Sequence, residues 1–536
     1  MNTVIFNPLE EFESKYKPLH ADKINAFFEE LVKKSGVNVD ENRQTVELYH
    51  KYNDDLVKLK RKYNWFRFLR VLMCITLVLI PFVILKTTPR IQQLRQEIAE
   101  ADKTANKLFA KAMAQMQPLV NLFSERNCID IIEDTIPLLD FHPCFSAKQE
   151  QDMRINYDFA ERVDELSSTL GVLAGEYNQN PFLFENKLYH VMGTEIYHGY
   201  KTITWTESYR DSNGRLQTRT RSQTLHAQVT KPKPFYSTGV ELNYCSQGGP
   251  ELEFSRTATH VERKSEKEIE KMVKKGEKKL QKMTEKAIGG NQDFMSMSNS
   301  EFEVLFGALN RTNEVQFRTL FTPLAQTNLV ELLCSKKGYG DDFTFIKRRR
   351  TNLIKTEHSQ GRKMLLWPVD YASHSFDVIK ENFISKNTEF FKDVYFDFAP
   401  IWAIPIYQER PVHSLKPIPD YAQLYSYKEC EVLANMLDKS QVVHPNTKTK
   451  AILKSSYVGT KDKADETRIT AYSYDIFERV DFIPVWGGDG RLHEVPVYWD
   501  DYIPLQAESY FFVADENATG GKKVLAQRNG ICIFNS

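Results

Sequence analysis

Two adjacent aspartates, Asp341 and Asp342 in the run Tyr339-Gly340-Asp341-Asp342, are the residues whose type and spacing most suggest chemistry. Paired carboxylates at a hairpin hold two metals in template-dependent polymerases, where the ions activate the attacking oxygen and stabilise the leaving one. Such a site needs another aspartate-bearing strand upstream. Here the next pair, Asp393 and Asp397, lies downstream. A Gly-Asp loop leading into the strand FTFIK accounts for the same residues without metal, and that reading is preferred. Asp489-Gly490 with His493 and Glu494 brings a carboxylate near an imidazole. Turn chemistry explains the first two residues, and the other two alternate across a strand. His190 with His198, and His142 with Cys144, lack zinc-ligand spacing. No phosphate loop, nucleophile elbow, HExxH or dinucleotide glycine pattern occurs. No catalytic, cofactor-binding or metal-binding residue is therefore assigned, and no cofactor is expected.

Lys347, Arg348, Arg349 and Arg350 follow that strand and form the densest cationic run. They are candidates for contact with an anionic surface, through the phosphates of lipid headgroups or nucleic acid. Alternatively, they guard an edge strand against aggregation. Lys+Arg and Asp+Glu both number 71, so the net charge is zero. That balance favours the edge-strand reading and does not favour nucleic acid.

The element expected to position everything else is Phe66–Leu85, FRFLRVLMCITLVLIPFVIL. Its uncharged part, Val71–Leu85, spans roughly 22 Å as a helix, short of the roughly 30 Å hydrocarbon layer. Starting at Phe66 supplies the full thickness if Arg67 and Arg70 reach back to the headgroups. Trp65, with Tyr63 and Phe66, would form an interfacial belt. This predicts a single transmembrane helix over 66–88, with the lipid bilayer as partner and a single-pass protein of the cell membrane. Seven cations in 51–70 against four in 86–105 favour a cytoplasmic N-terminus.

Around it, residues 20–35 present Ile24, Phe27, Phe28, Leu31 and Val32 on one helical face. A second helix from Asp40 carries the seam Tyr49, Tyr52, Leu56, Leu59 and Tyr63. Beyond the span, Ile91, Leu94, Ile98, Ala101, Ala105, Leu108 and Ala112 keep a heptad, resuming at Leu119 and Leu122. That stalk suits either a homo-oligomer through 91–122 or packing on the chain's own domain. KTITWTESYR and RLQTRTRSQTLHAQV flank an Asn-Gly turn, a β-hairpin. Residues 262–288 form a charged amphipathic helix. Phe302–Leu333 reads as helix broken at Thr322-Pro323, and FTFIKRR, KMLLWPV, VYFDF, IWAIPIY, FIPVWGG and EVPVYW as strands. The fold class is α+β. The expected division is 1–65 N-terminal helices, 66–88 membrane helix, 89–127 stalk, 128–260 mixed with a hairpin, 261–290 charged helix, and 291–536 α+β domain. Seven scattered cysteines show no disulfide framework, though up to three bridges would be possible outside the span.

The run NSEFEVLFGALNRTNEVQFRTLFTPLAQTNLVELL at Asn299–Leu333, with Glu301, Phe302, Phe306, Arg318, Leu320, Thr322 and Pro323, resembles an uncharacterised family of bacterial membrane proteins. The resemblance implies an N-terminal membrane helix before a soluble domain, and it carries no activity or catalytic residue. The function expected is that of a membrane-anchored binding or scaffold component. The alternative is a membrane-tethered, hydrolase-like enzyme whose site is assembled from distant residues.

Overall fold

The N-terminal helices form because apolar residues recur at helical spacing and glycine stops them. In the computed structural model, which describes residues 4–75, 87–159, 167–210, 212–290, 294–411, 416 and 422–535, Pro8–Glu11, the π-helical Phe12–Tyr16 and α1 (Lys17–Ser35) continue one another. Gly36, at φ 64°, ends the run in the left-handed conformation. Ile24, Phe28 and Leu31 face the core, as their spacing requires. α2 (Val39–Ile75) and α3 (Thr88–Val120) pack along one another as a helical hairpin. Lys111 pairs with Glu41 at 3.2 Å and Lys60 with Asp102 at 3.5 Å across it. The heptad residues Ile91, Leu94, Ala105, Ala112 and Leu119 are buried within the chain.

The single-pass membrane assignment does not hold. Among the described residues, no helix is long and apolar enough to cross a membrane. The first half of the expected span, 66–75, is the end of α2, whose preceding turns carry Lys58, Lys60, Arg61 and Lys62. Those ten residues rise only about 15 Å and include Arg67 and Arg70. The remainder, 76–85, lies outside the described residues. Trp65, Arg67 and Arg70 are exposed on the last turns of α2, with the Arg67 guanidinium over the Tyr63 ring.

The architecture is α+β with antiparallel pairing in both sheets. The first sheet has the order β1-β2-β3-β4-β7-β6-β5, from β1 (Leu139–Phe141), β2 (Ser167–Tyr177), β3 (Asn180–Arg210), β4 (Leu216–Cys245), β5 (Glu253–Arg256), β6 (Phe343–Arg348) and β7 (Thr351–Thr356). The second runs β11-β12-β10-β9-β8, from β8 (Ile452–Lys461), β9 (Ala464–Trp486), β10 (Leu492–Asp515), β11 (Val524–Arg528) and β12 (Ile531–Phe534). One face of the first sheet, with Phe182, Phe184, Leu242 and Phe345, lies on the main core, which draws residues from Ile5 through Tyr407. Both expected hairpins form, with Gly214 at φ 78° and Gly490 at φ 74° in their turns.

One group of expected strands is helical instead. VYFDF and the start of IWAIPIY belong to the helix Phe376–Trp402. Tyr395, Phe398, Ile401 and Trp402 there have no exposed surface. A helix end buried on every side has no solvent-exposed face, so its short apolar runs read like interior strands. KMLLWPV is not a strand either, since Pro368 opens the short helix Pro368–Tyr371.

Candidate functional site

Three of the aspartates singled out by sequence, Asp342, Asp393 and Asp397, come together around an imidazole. His358, just beyond β7, places Nδ1 2.6 Å from Asp342 Oδ2, and Nε2 3.2 Å from the Asp393 carbonyl oxygen and 3.4 Å from Asp397 Oδ1. Asp397 also accepts from Thr356 and Ser359 and pairs with Arg362 at 2.6 Å. Tyr339 stacks on His358 at 3.8 Å and donates to Asp393 at 2.5 Å. Asp341 points elsewhere, to a buried ion pair with Arg256 and to Thr259. Burial pushes the His358 pKa down, but the Asp342 hydrogen bond and the Asp397 and Asp393 charges outweigh it, so the net shift is upward. Ser359 donates to Asp397, so it is not aligned as a nucleophile on the imidazole. Among the described residues, no group of three or more His, Cys, Asp or Glu is placed to hold a metal. The cluster joins the Tyr339–Asp342 loop, the end of β7 and the Phe376–Trp402 helix.

The cationic run divides at Lys347. Its side chain is buried and donates to the carbonyls of Gly248 at 2.8 Å and Arg349 at 2.5 Å. Burial, aided by nearby Arg350, brings its pKa down to about 7. Buried against these carbonyls, the Lys347 side chain does not reach an outside surface. Arg349 turns the chain at φ 54° and, with Arg350, pairs with Asp158. Arg348 is exposed.

His190 and His198 have separate partners. His142 contacts Gln149, His190 sits between Tyr236 and Tyr474, and His198 meets His226 at 2.9 Å. His493 lies 3.0 Å from both Asp489 oxygens within the β9–β10 turn region. The six described cysteines outside α2 are free.

Two features carry no motif. The first is a cavity of about 90 Å³ on the other face of the first sheet. Glu185 on β3, Glu241 on β4 and Lys355 on β7 lie directly opposite one another across three neighbouring strands. Two like charges side by side would repel. Lys187 lies between them, 2.6 Å from Glu185 and 3.1 Å from Glu241, and Lys355 also pairs with Glu241. From the helix Tyr427–Asn435, Lys428 reaches Glu185 at 2.5 Å. Burial works against the charge on Glu185, but the Lys187 and Lys428 ammonium groups overcome it and hold the carboxyl at about 2. Arg348 and, from β8 of the second sheet, Lys454 complete the cationic lining.

The second is a protruding β-arm. The distal halves of the β3–β4 and β9–β10 hairpins pack face to face over Ile203, Leu225, Ala227, Val495 and Val497. Lys231 pairs with Asp481 at 2.7 Å across the two layers. With the odd-numbered residues of β9 and β10 inside, the even-numbered ones form the outer face. There the cross-strand pairs run Trp486–Leu492, Pro484–Glu494, Phe482–Pro496 and Val480–Tyr498, then Glu478–Asp500. Trp486 is 69% exposed, Phe482 58% and Tyr498 58%.

Comparison with family models, with curated proteins and with solved structures finds no match to this chain.

Proposed function

We propose that the chain is a binding or scaffold protein that docks a partner protein on the outer face of the β-arm. The observation that carries this reading is the run of four successive cross-strand pairs in which only Glu494 is not apolar. Single exposed apolar residues are ordinary, but a contiguous patch on paired strands marks an interaction surface. The occupant is a segment that is apolar with interspersed lysine or arginine. Glu494, Glu478 and Asp500 share the face, and none of the three has an ion-pair partner among the described residues. A basic segment would neutralise these carboxylates while covering Trp486, Phe482 and Tyr498.

Synthetic peptides test this with the full chain: an alternating Lys/Val heptamer against its Glu/Val counterpart, followed by fluorescence polarisation. The basic peptide should bind saturably, at about 10 μM or tighter, and Phe482→Glu should abolish binding. Equal binding of both peptides, or of neither, overturns the reading. Concentration-dependent dimerisation lost in Phe482→Glu would assign the face to a second copy and overturn the partner-protein reading as well.

A further inference from the structure

We infer that the charged cavity between the first sheet and the Tyr427–Asn435 helix is a binding site for the phosphate group of a small phosphorylated molecule. The argument rests on charge balance in a confined space. Lys187, Lys355, Lys428, Lys454 and Arg348 line the cavity. The carboxylates that pair with them are Glu185, Glu241 and Glu431, the last 3.7 Å from Lys454. Asp158 also lines it but is engaged by Arg349 and Arg350. Five cations face three carboxylates, a surplus of two positive charges.

Arg348 is exposed and the Lys355 side chain keeps 38% of its surface, so the surplus lies on the solvent side of the cavity, where an entering anion can meet it. The carboxylates do not neutralise this surplus. Glu185 is already shared by Lys187 and Lys428, and Glu241 by Lys187, Lys355 and Tyr189. The Lys187, Lys355 and Lys454 side chains keep 19%, 38% and 23% of their surface, so a ligand entering from solvent can reach these side chains. The void exceeds a single-water site and admits a tetrahedral oxyanion of five heavy atoms. The divalent charge of phosphate matches the surplus, and ammonium and guanidinium donors suit its oxygens. The ester substituent would extend past Arg348, the exposed residue of the lining.

The test is calorimetric titration of the full chain with inorganic phosphate and with glycerol 2-phosphate at constant ionic strength. One saturable site near 1 mM or tighter is expected, with the phosphomonoester at least equal to phosphate. Lys355→Met and Lys454→Met should each weaken binding about tenfold, the loss of one charged hydrogen bond. If those variants do not fold, exposed Arg348→Gln, with no ion pair among the described residues to lose, should still weaken binding several-fold. Absence of saturable binding, or binding unchanged in the folded variants, overturns the inference. Binding of inorganic phosphate with rejection of glycerol 2-phosphate overturns the assignment to a phosphorylated molecule.

Discussion

Gly199 on β3 lies flat against Val497 on β10: a Cβ at position 199 would stand 2.8 Å from Val497 Cγ2 and press on the Pro496 carbonyl. The two hairpins of the β-arm approach this closely because position 199 has no side chain. Gly199→Ala should therefore cost about 1–3 kcal/mol through overpacking, read as a lower unfolding midpoint. An unchanged midpoint would mean that the hairpins separate without penalty.

Asn42 is fully buried where the helical hairpin meets the helix Phe376–Trp402. Its side-chain oxygen accepts from Phe376 N at 2.9 Å, and its Nδ2 donates to the His374 carbonyl at 3.0 Å and the Ala112 carbonyl at 3.3 Å. Asn42→Ala leaves these backbone groups without their partner. We expect a loss of about 1–3 kcal/mol in urea unfolding, with the midpoint moving and the slope unchanged. Asn42→Leu, which fills the volume but not the hydrogen bonds, should not restore it.

Arg528 on β11 pairs with Glu429 at 3.2 Å, and both side chains are nearly free of solvent. Burial raises the Glu429 pKa more than Arg528 lowers it, so the carboxylate depends on this guanidinium. Arg528→Met should destabilise by about 3–5 kcal/mol, since it strands a buried charge. The double variant Arg528→Met/Glu429→Met should recover most of that loss. A double variant as unstable as the single one would refute the pairing account.

His358 provides a pH signature. Facing Asp342, Asp393 and Asp397, with Arg362 close by, it has a folded pKa above the ordinary 6.5. The folded state therefore binds the proton more tightly, so the contribution is fully present below 6.5 and is lost as pH rises through the folded value. The midpoint difference between the native chain and His358→Gln should be largest near pH 6 and shrink towards pH 9. A difference that widens with pH would reverse the sign of this coupling.

Local rules were readable wherever the chemistry is local. Gly36 stops a helix, Thr322 caps one that opens on Pro323, and Asn213-Gly214 and Asp489-Gly490 turn two hairpins. Each acts through backbone conformation within a few residues. The heptad of residues 91–119 was equally legible, but its partner was not. An apolar seam specifies a neighbour of the same character, and only the tertiary arrangement selected α2 of the same chain. The membrane reading fails on the described part of its window: 66–75 is the end of a helix that begins at Val39, and those ten residues include Arg67 and Arg70. VYFDF is helical although it reads as a strand, because complete burial removes the solvent-exposed face whose spacing distinguishes the two periods. The carboxylate pairs drew attention by spacing, yet their role was decided by His358 and Arg362, which no short motif includes. Glu185, Glu241, Lys355 and Lys428 are far apart in the chain, and strand register and one docked helix made them a single charged cavity. Charge at a distance leaves no trace in sequence order, because Coulomb interactions depend on separation in space.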